Sequence, residues 1–497
     1  MLFNSIEFLK FFIIVTTAYF AIPHKYRYLL LLFSSCYFYM AFVPVYILIL
    51  GFTIVIDYFA GILIEKTQGP KRKKYLIISL VSNVLVLAIF KYYNFFIENI
   101  NLLFEIFGIA GNVSYLNILL PIGLSFHTFQ AMSYTIEVYR GNQPAVKNFG
   151  IYSLYVMFYP QLVAGPIERP QNLLYQFTEE HKFDYKRVTS GLKLMAWGLF
   201  KKVVIADRLA LFVDQVYDQP TNYHGLSLIL ATIFFSIQIY CDFSGYSDMA
   251  LGAAEVMGFK LMQNFRQPYL STSVSEFWKR WHISLSTWFK DYVYIPLGGN
   301  RTNKWKWYFN LFIVFLLSGF WHGANWTFIF WGALHGFYLV VAIITESWRT
   351  KINYTLKINL FPKIFKTIQV FTTCCLVAFA WIFFRANNLN DAFYISSNLF
   401  TDLGTDISAI MNGFAQRGQG KNVFSNIFLG QLVEDFLIAI LSICILKFVH
   451  HYQQKGSVRA FLDQKSVIIR WGAYYALVLM IIFLGVYSQK QFIYFQF

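Results

Sequence analysis

The chain alternates long apolar runs with short polar loops over most of its length. A bilayer crossing takes about 20 apolar residues, so the runs predict about ten to twelve membrane-spanning helices. The first run, residues 2–22, lacks the basic start and the small-residue cleavage site of a signal peptide, and we expect it to remain as a span. No internal repeat is visible. The pattern predicts one all-α, polytopic membrane domain over residues 1–497.

The charge between the apolar runs predicts their orientation. Residues 65–74 form the densest basic loop, and lysine and arginine are enriched in cytoplasmic loops. Residues 98–117 contain two glutamates and no lysine or arginine, and residues 386–430 are only lightly charged. We therefore place the first loop in the cytoplasm and the other two outside. Both chain termini are then extracytoplasmic.

Three regions depart from simple spans. Prolines and a glycine interrupt an apolar run at 151–170, which predicts a broken or re-entrant helix. Residues 185–216 predict a helix whose first part is basic and includes Lys201 and Lys202. Residues 268–300 begin with a capping-box pattern, a serine followed three positions later by a glutamate, and continue with aromatic residues at helical spacing. This last segment predicts one amphipathic helix at the cytoplasmic interface.

The composition fits a membrane protein. Hydrophobic residues make up 57% of the chain, aromatic residues 20% and charged residues 13%, with a mean hydropathy of +0.49. Soluble domains carry about 25% charged residues. The net charge of +16 would suggest nucleic acid in a soluble protein, but cytoplasmic loops explain it here, so we expect the lipid bilayer and no nucleic acid as a partner. A second explanation of the positive charge is that it binds an anionic substrate on the cytoplasmic side.

His322 is the most informative residue because it lies within a long uncharged stretch. Residues 307–345 contain no aspartate, glutamate, lysine or arginine. An ionisable ring at membrane depth is costly and marks a functional site by default. The glycines beside it allow close approach of two backbones. We therefore predict that His322 carries the chemistry of this protein.

Other polar residues near this stretch are further candidates for a functional role. His282 lies on the predicted interfacial helix, where it is either functional or an ordinary interface histidine. His335 could lie on the helix that follows His322. Asp242 and Asp248 lie near the inner end of a span, where they could bind a cation, orient a histidine or pair with a basic residue between 260 and 306. We expect the pairing. The histidines and the five cysteines show no metal-ligand spacing, so no metal is predicted.

Several segments together form a more specific pattern. They are LPIGLSF at 120–126, TFQ at 128–130, VAGPIER at 163–169, DFSGYSDMA at 242–250, EFWKRWHISLSTW at 276–288, YIPLGGNR at 294–301, FWHGANW at 320–326 and QFIYFQF at 491–497. Over most of its length the chain resembles the membrane-bound O-acyltransferase (MBOAT) family, most closely the bacterial branch that includes alginate O-acetyltransferases. His127 stands where this branch is expected to carry an aromatic residue.

The resemblance implies a fold, a site and an activity. The fold would be a ring of spans around a thin central region with a funnel from each side, and the catalytic segment would cover about 240–345. His322 would be the catalytic histidine and His282 the second histidine of the family. An acetyl group would pass from a cytoplasmic thioester, acetyl-CoA or an acyl carrier, across the bacterial inner membrane. No covalently bound cofactor is implied. An extracytoplasmic SGNH-type acetyltransferase or acetyl-relay protein would complete transfer onto a polysaccharide.

Elementary chemistry suggests roles for the candidate residues. An apolar site favours the neutral imidazole of His322, which could accept a proton from an acceptor hydroxyl. A second polar group could donate to the thioester carbonyl oxygen as it becomes negative, and the candidates are His282, Asn325 and the indole of Trp321. The basic block would bind phosphates of coenzyme A or of a carrier group through Lys279, Arg280 and Arg301.

Two alternative functions stay open at this point. A transporter or flippase of a glycan would also need polar residues and broken helices inside the membrane, although the sequence shows no inverted repeat. Within the same family, D-alanyl transfer or acyl transfer to a lipid is compatible with the same residues.

Overall fold

A computed structural model describes residues 1–118, 120–408, 427–487 and 492–493. These residues form helices joined by turns and loops, and none of them lies in a strand, so the predicted all-α fold is confirmed. Most of the QFIYFQF segment and most of the predicted outer loop after residue 408 lie outside the described residues.

The chain divides into two compact units. The first is Met1–Gly198 with Tyr246–Gln263, and the second is Leu199–Gly245 with Asn264–Phe497. Two long helices contribute residues to both units. That residues 1–497 act as one membrane domain stays a prediction.

The first unit is built mainly from the helices of the N-terminal part. They are α1 (Ile6–Ala21), α2 (His24–Met40), α3 (Ile47–Lys66), α4 (Pro70–Leu87), α5 (Tyr93–Ile106), α6 (Leu124–Arg140), α7 (Phe149–Met157), α8 (Tyr159–Leu162), α9 (Pro170–Leu173) and α10 (Tyr185–Phe200). Helices α3, α4 and α6 pack on one another, and α2 packs on α7.

The second unit contains the described helices that follow, apart from the C-terminal part of α12. They are α11 (Asp207–Tyr217), α12 (Gly225–Met257), α13 (Val274–Arg280), α14 (Ile283–Phe289), α15 (Lys304–His322), α16 (Trp326–Ile344), α17 (Glu346–Thr355), α18 (Pro362–Arg385), α19 (Leu389–Asn398), α20 (Val433–Gln453), α21 (Val458–Asp463) and α22 (Val467–Leu484). Single π-helical turns join α4 to α5, α10 to α11 and α14 to the loop that follows.

Six helical segments of the described residues are long and apolar enough to cross a membrane, which makes this a multi-pass membrane chain. They are Pro44–Lys66, Pro70–Ile106, Gly225–Met257, Trp326–Ile344, Pro362–Arg385 and Val467–Leu484. Helices α1, α2 and α6 have 16 or 17 residues and fall just below the 18-residue length that defines such a segment. The larger number of spans counted from the sequence stays a prediction.

The interrupted helix predicted at 151–170 is confirmed. Helix α7 ends at Met157, the short α8 follows, and residues 163–169 are not helical. Almost all of this backbone is buried, which satisfies the requirement that irregular backbone be covered. Glu168 is fully buried there, and its Oε1 accepts a hydrogen bond from the backbone N–H of Met262.

Candidate active site

His322 is placed by a tight helical hairpin. It is the last residue of α15, and α16 begins four residues later. A Cβ added to Gly319 would lie 2.3 Å from the carbonyl oxygen of Phe328, and one added to Gly332 would lie 2.4 Å from that of Phe315. The two glycines thus allow the backbones to touch, as the sequence pattern predicted. The hairpin buries His322, which is 4% exposed.

The His322 ring lies in an aromatic cage. The rings of Trp321, Trp331 and Phe384 have centroids 4.9, 5.1 and 5.4 Å from it, and Trp331 meets it edge-on at 89°. These contacts come from α15, α16 and α18. The cage fixes the orientation of the imidazole by packing, because each neighbour is a large flat ring.

The single interfacial helix predicted within 268–300 is wrong, because the helix breaks at His282. Helix α13 ends at Arg280, and His282 adopts a left-handed conformation with φ 44° and ψ 55° before α14 begins. The start of α13 is as expected, since the Ser273 hydroxyl accepts from the N–H of Glu276 at 3.1 Å. The Glu276 carboxylate, however, accepts from Thr272.

The break buries His282 completely. Its ring lies edge-on to Phe243 of α12 with a centroid distance of 4.6 Å, and 6.4 Å from the ring of Trp321. Burial lowers the pKa of the His282 imidazole to about 3, so this ring is neutral at physiological pH. A neutral imidazole has one N–H that can donate and one nitrogen that can accept.

Both predicted catalytic histidines therefore contact the same residue, Trp321, within the second unit. A third, His335, extends the group on α16, as expected. Its ring lies 5.0 Å from that of Trp331, and its Nδ1 accepts a hydrogen bond of 3.2 Å from the indole of Trp278. We call these alternating rings the histidine–aromatic cluster; its members are Trp278, His282, Trp321, His322, Trp331, His335 and Phe384.

The other predicted site residues lie apart from this cluster. The Asn325 side chain caps α16, with its Oδ1 accepting from the N–H of Thr327 at 2.9 Å. Lys279 and Arg301 are exposed, and Arg280 forms an ion pair of 2.6 Å with Glu276. Lys279 and Arg301 are therefore accessible to a ligand from outside, whereas the histidines are buried. No group of three metal-ligating side chains occurs among the residues that the structure describes.

The pairing expected for Asp242 exists, but its partner differs from the prediction. Lys202 lies 2.6 Å from Asp242 and 2.8 Å from Asp207, and all three side chains are less than 10% exposed. Lys202 and its neighbour Lys201, read from the sequence as cations at the basic start of a helix, are both buried. The neighbouring residue of Asp242 is Phe243, so this ion pair lies next to the contact with His282.

Sequence reasoning missed several residues that build the site. Trp331 and Phe384 form the cage, Asn264 accepts a hydrogen bond from Ser284 beside the break at His282, and Lys202 pairs with Asp242. Apolar periodicity makes every tryptophan on a span look alike. Likewise, nothing in the sequence around Asn264 or Lys202 indicates that these residues contact Ser284 and Asp242, which lie far along the chain.

The chain is similar in sequence to known acyltransferases. The profile of the membrane-bound O-acyltransferase family matches residues 146–381, which include both catalytic candidates. The chain is 40% identical over 407 residues to a probable alginate O-acetylase of Pseudomonas aeruginosa, covering 81% of this chain and 75% of that protein. It is 34% identical over 499 residues to a peptidoglycan O-acetyltransferase of Helicobacter pylori, covering 94% and 91%.

A more distant relative is a teichoic acid D-alanyltransferase of Bacillus subtilis. It is 27% identical over 250 residues, covering 48% of this chain and 62% of that protein. The identity and coverage of the nearer relatives, together with the matched profile, show that this chain belongs to the membrane-bound O-acyltransferase family.

Proposed function

We propose that this chain transfers acetyl groups from a thioester donor to hydroxyls destined for an extracytoplasmic polysaccharide. The observation that carries the proposal is the pair of buried histidines, His282 and His322, which both contact Trp321. An acetyl cargo and a glycan acceptor are supported by the names of two relatives that align over most of this chain, a probable alginate O-acetylase and a peptidoglycan O-acetyltransferase.

In the proposed reaction His322 acts as the general base. Its imidazole takes the proton of the acceptor hydroxyl as the oxygen attacks the thioester carbonyl carbon. The tetrahedral intermediate collapses by breaking the C–S bond, and the imidazolium returns the proton to the departing thiolate. The aromatic cage supports this role because apolar surroundings favour the neutral, proton-accepting ring at the start of the cycle.

His282 is proposed as a donor to the carbonyl oxygen. Its low pKa keeps it neutral, so it can donate one N–H without competing for the hydroxyl proton. The indole of Trp321, between the two histidines, is the alternative donor. Asn325 is less suited, because its Nδ2 already donates to the carbonyl oxygen of Asn387 at 3.4 Å.

Acetyl-CoA or an acyl carrier is the proposed donor, bound on the cytoplasmic side. Lys279 and Arg301 are exposed and able to meet phosphates, while Arg280 would have to leave Glu276. We place the protein in the bacterial inner membrane with both termini outside. An extracytoplasmic SGNH-type acetyltransferase or acetyl-relay protein would receive the acetyl group.

The competing functions are less well supported. The D-alanyltransferase relative aligns over about half of this chain, whereas the O-acetyltransferases align over most of it. Lipid acyl transfer has no support among these relatives. Glycan transport finds no support in the family to which the chain belongs.

The test is substitution of His322 in protein purified from membranes. We expect His322→Gln and His322→Ala to lower the rate of acetyl-CoA turnover by about 10²–10⁴-fold, since a positioned base contributes that much. The matched control is His451→Ala, an exposed histidine at the end of α20, which should keep the wild-type rate. All three variants should insert and elute like the wild type. Near-wild-type turnover in folded His322→Ala protein would refute the catalytic assignment.

A further inference from the structure

The backbone of His282 is unusual for a residue with a side chain. It occupies the left-handed region at φ 44°, where the Cβ of an L-residue is crowded. Such conformations persist only where the surrounding structure enforces them, and they concentrate at functional sites. Something must therefore hold residue 282 out of the helix that α13 and α14 would otherwise form together.

The element that does so is the non-helical segment around Asn264. The backbone carbonyl of Asn264 accepts the N–H of Ile283 at 3.0 Å, and the N–H of Arg266 donates to the carbonyl of Arg280 at 2.9 Å. These two bonds take backbone groups on either side of His282 away from helical pairing. The segment therefore runs across the break and replaces the missing helical hydrogen bonds.

The Asn264 side chain completes this arrangement. Its Oδ1 accepts from the hydroxyl of Ser284 at 2.7 Å and from the N–H of Ser284 at 3.3 Å. Asn264 is 1% exposed, and its Nδ2 makes no hydrogen bond to any residue that the structure describes. Only the oxygen of this amide is therefore used, and it caps the first turn of α14.

We propose that Asn264 is a positioning residue for acyl transfer, which holds His282 in its left-handed conformation so that its ring meets Phe243 and Trp321. This inference rests on the proposed role of His282. Phe265, the next residue, packs 5.0 Å from the ring of Phe243, so the same segment also supports the surface against which His282 lies.

Loss of the Asn264 side-chain oxygen should leave only the two backbone bonds to hold the break, so that residue 282 adopts the helical conformation part of the time. In a continuous helix a residue at 282 would point its side chain in a different direction, and the N–H that His282 offers would move away from the reacting carbonyl. A displacement of about 1 Å can cost about 10²-fold in rate. Binding of the donor phosphates by the exposed Lys279 and Arg301 would be unaffected.

The first experiment measures acetyl-CoA turnover in detergent. We expect Asn264→Ala to lower kcat by about 10²-fold with little change in KM, because orientation and not donor binding is lost. Asn264→Asp keeps an acceptor oxygen for Ser284 but adds a carboxyl group at a buried position, so it should retain more of kcat than Asn264→Ala and less than the wild type. The control Asn310→Ala removes another buried asparagine, which donates to Leu297 and Gly299, and should lower Tm while leaving kcat close to wild type.

The second experiment does not depend on activity. His282→Gly should give a higher Tm than His282→Ala, because glycine adopts positive φ without strain. In the Asn264→Ala background this advantage of glycine should disappear, since the backbone would no longer be held.

A glycine advantage that persists without the Asn264 oxygen overturns the proposal, as does wild-type kcat in a destabilised Asn264→Ala protein. If His282→Ala itself turns over normally, the role of His282 in the proposed function fails, and the Tm comparison still decides whether Asn264 holds the backbone.

Discussion

At the residue scale, the three histidines of the histidine–aromatic cluster differ in the contacts that their rings make. The indole of Trp278 donates to Nδ1 of His335, so in the neutral ring the proton lies on Nε2. His282 is kept neutral by burial, and His322 is enclosed by three aromatic rings. The sequence identified His322 because a polar ring in an uncharged stretch is anomalous, but cage neighbours such as Trp331 are ordinary residues of apolar helices and gave no such signal.

The neutral state of His282 predicts a pH dependence of stability. An unfolded histidine has a pKa of about 6.5, whereas the buried ring titrates near 3. Between these values the unfolded state binds the extra proton, so stability is complete above about pH 6.5 and falls as the pH is lowered. We expect His282→Asn, which tolerates positive φ and does not titrate, to lose less Tm than the wild type between pH 7 and pH 5. Equal losses would show that His282 is protonated in the folded protein.

At the element scale, the α15–α16 hairpin and the break between α13 and α14 have different origins. The hairpin was predictable, because the small residues beside His322 indicate that two helix backbones pack closely there. The break was not, since the aromatic periodicity continues across His282 and only a distant segment, around Asn264, diverts the backbone. Local patterns report what a segment could form, and a long-range partner then selects among the possibilities.

The hairpin predicts a sharp difference between two glycines. In Gly332→Ala the new Cβ would meet the carbonyl oxygen of Phe315 at 2.4 Å, so α15 and α16 must separate and displace His322. In Gly472→Ala, on the span α22, the Cβ meets nothing within 4 Å. We expect the first variant to lower both Tm and acetyl transfer, and the second to leave both unchanged or to raise Tm slightly through better helix propensity. Thermal unfolding in detergent and acetyl-CoA turnover provide the measurements; matching behaviour of the two variants would contradict the close packing.

At the scale of the whole molecule, buried charges connect parts of the second unit that are far apart in sequence. Asp242 forms an ion pair with Lys202 and accepts a hydrogen bond from the backbone N–H of Ile493. Arg208 forms an ion pair with Asp435. The sequence predicted that Asp242 would be paired, because an unpaired carboxylate in a span is too costly. It could not name the partner, since many cations had suitable positions and only the fold selects one.

The two ion pairs of Lys202 predict that its substitution strongly lowers the free energy of unfolding. Lys202→Met leaves the carboxylates of Asp207 and Asp242 buried without their shared cation, and breaking such a pair costs about 3–5 kcal/mol. The matched control is Lys147→Met in the first unit, whose pair with Glu65 is largely exposed and should contribute about 0–1 kcal/mol. Denaturant unfolding in detergent measures both. Adding Asp242→Asn to Lys202→Met should recover part of the loss, because it removes one of the two uncompensated charges. A Lys202→Met protein as stable as the Lys147→Met control would mean that the buried carboxylates are protonated or hydrated in the variant. The ion pair would then not stabilise the part of α12 that packs against His282.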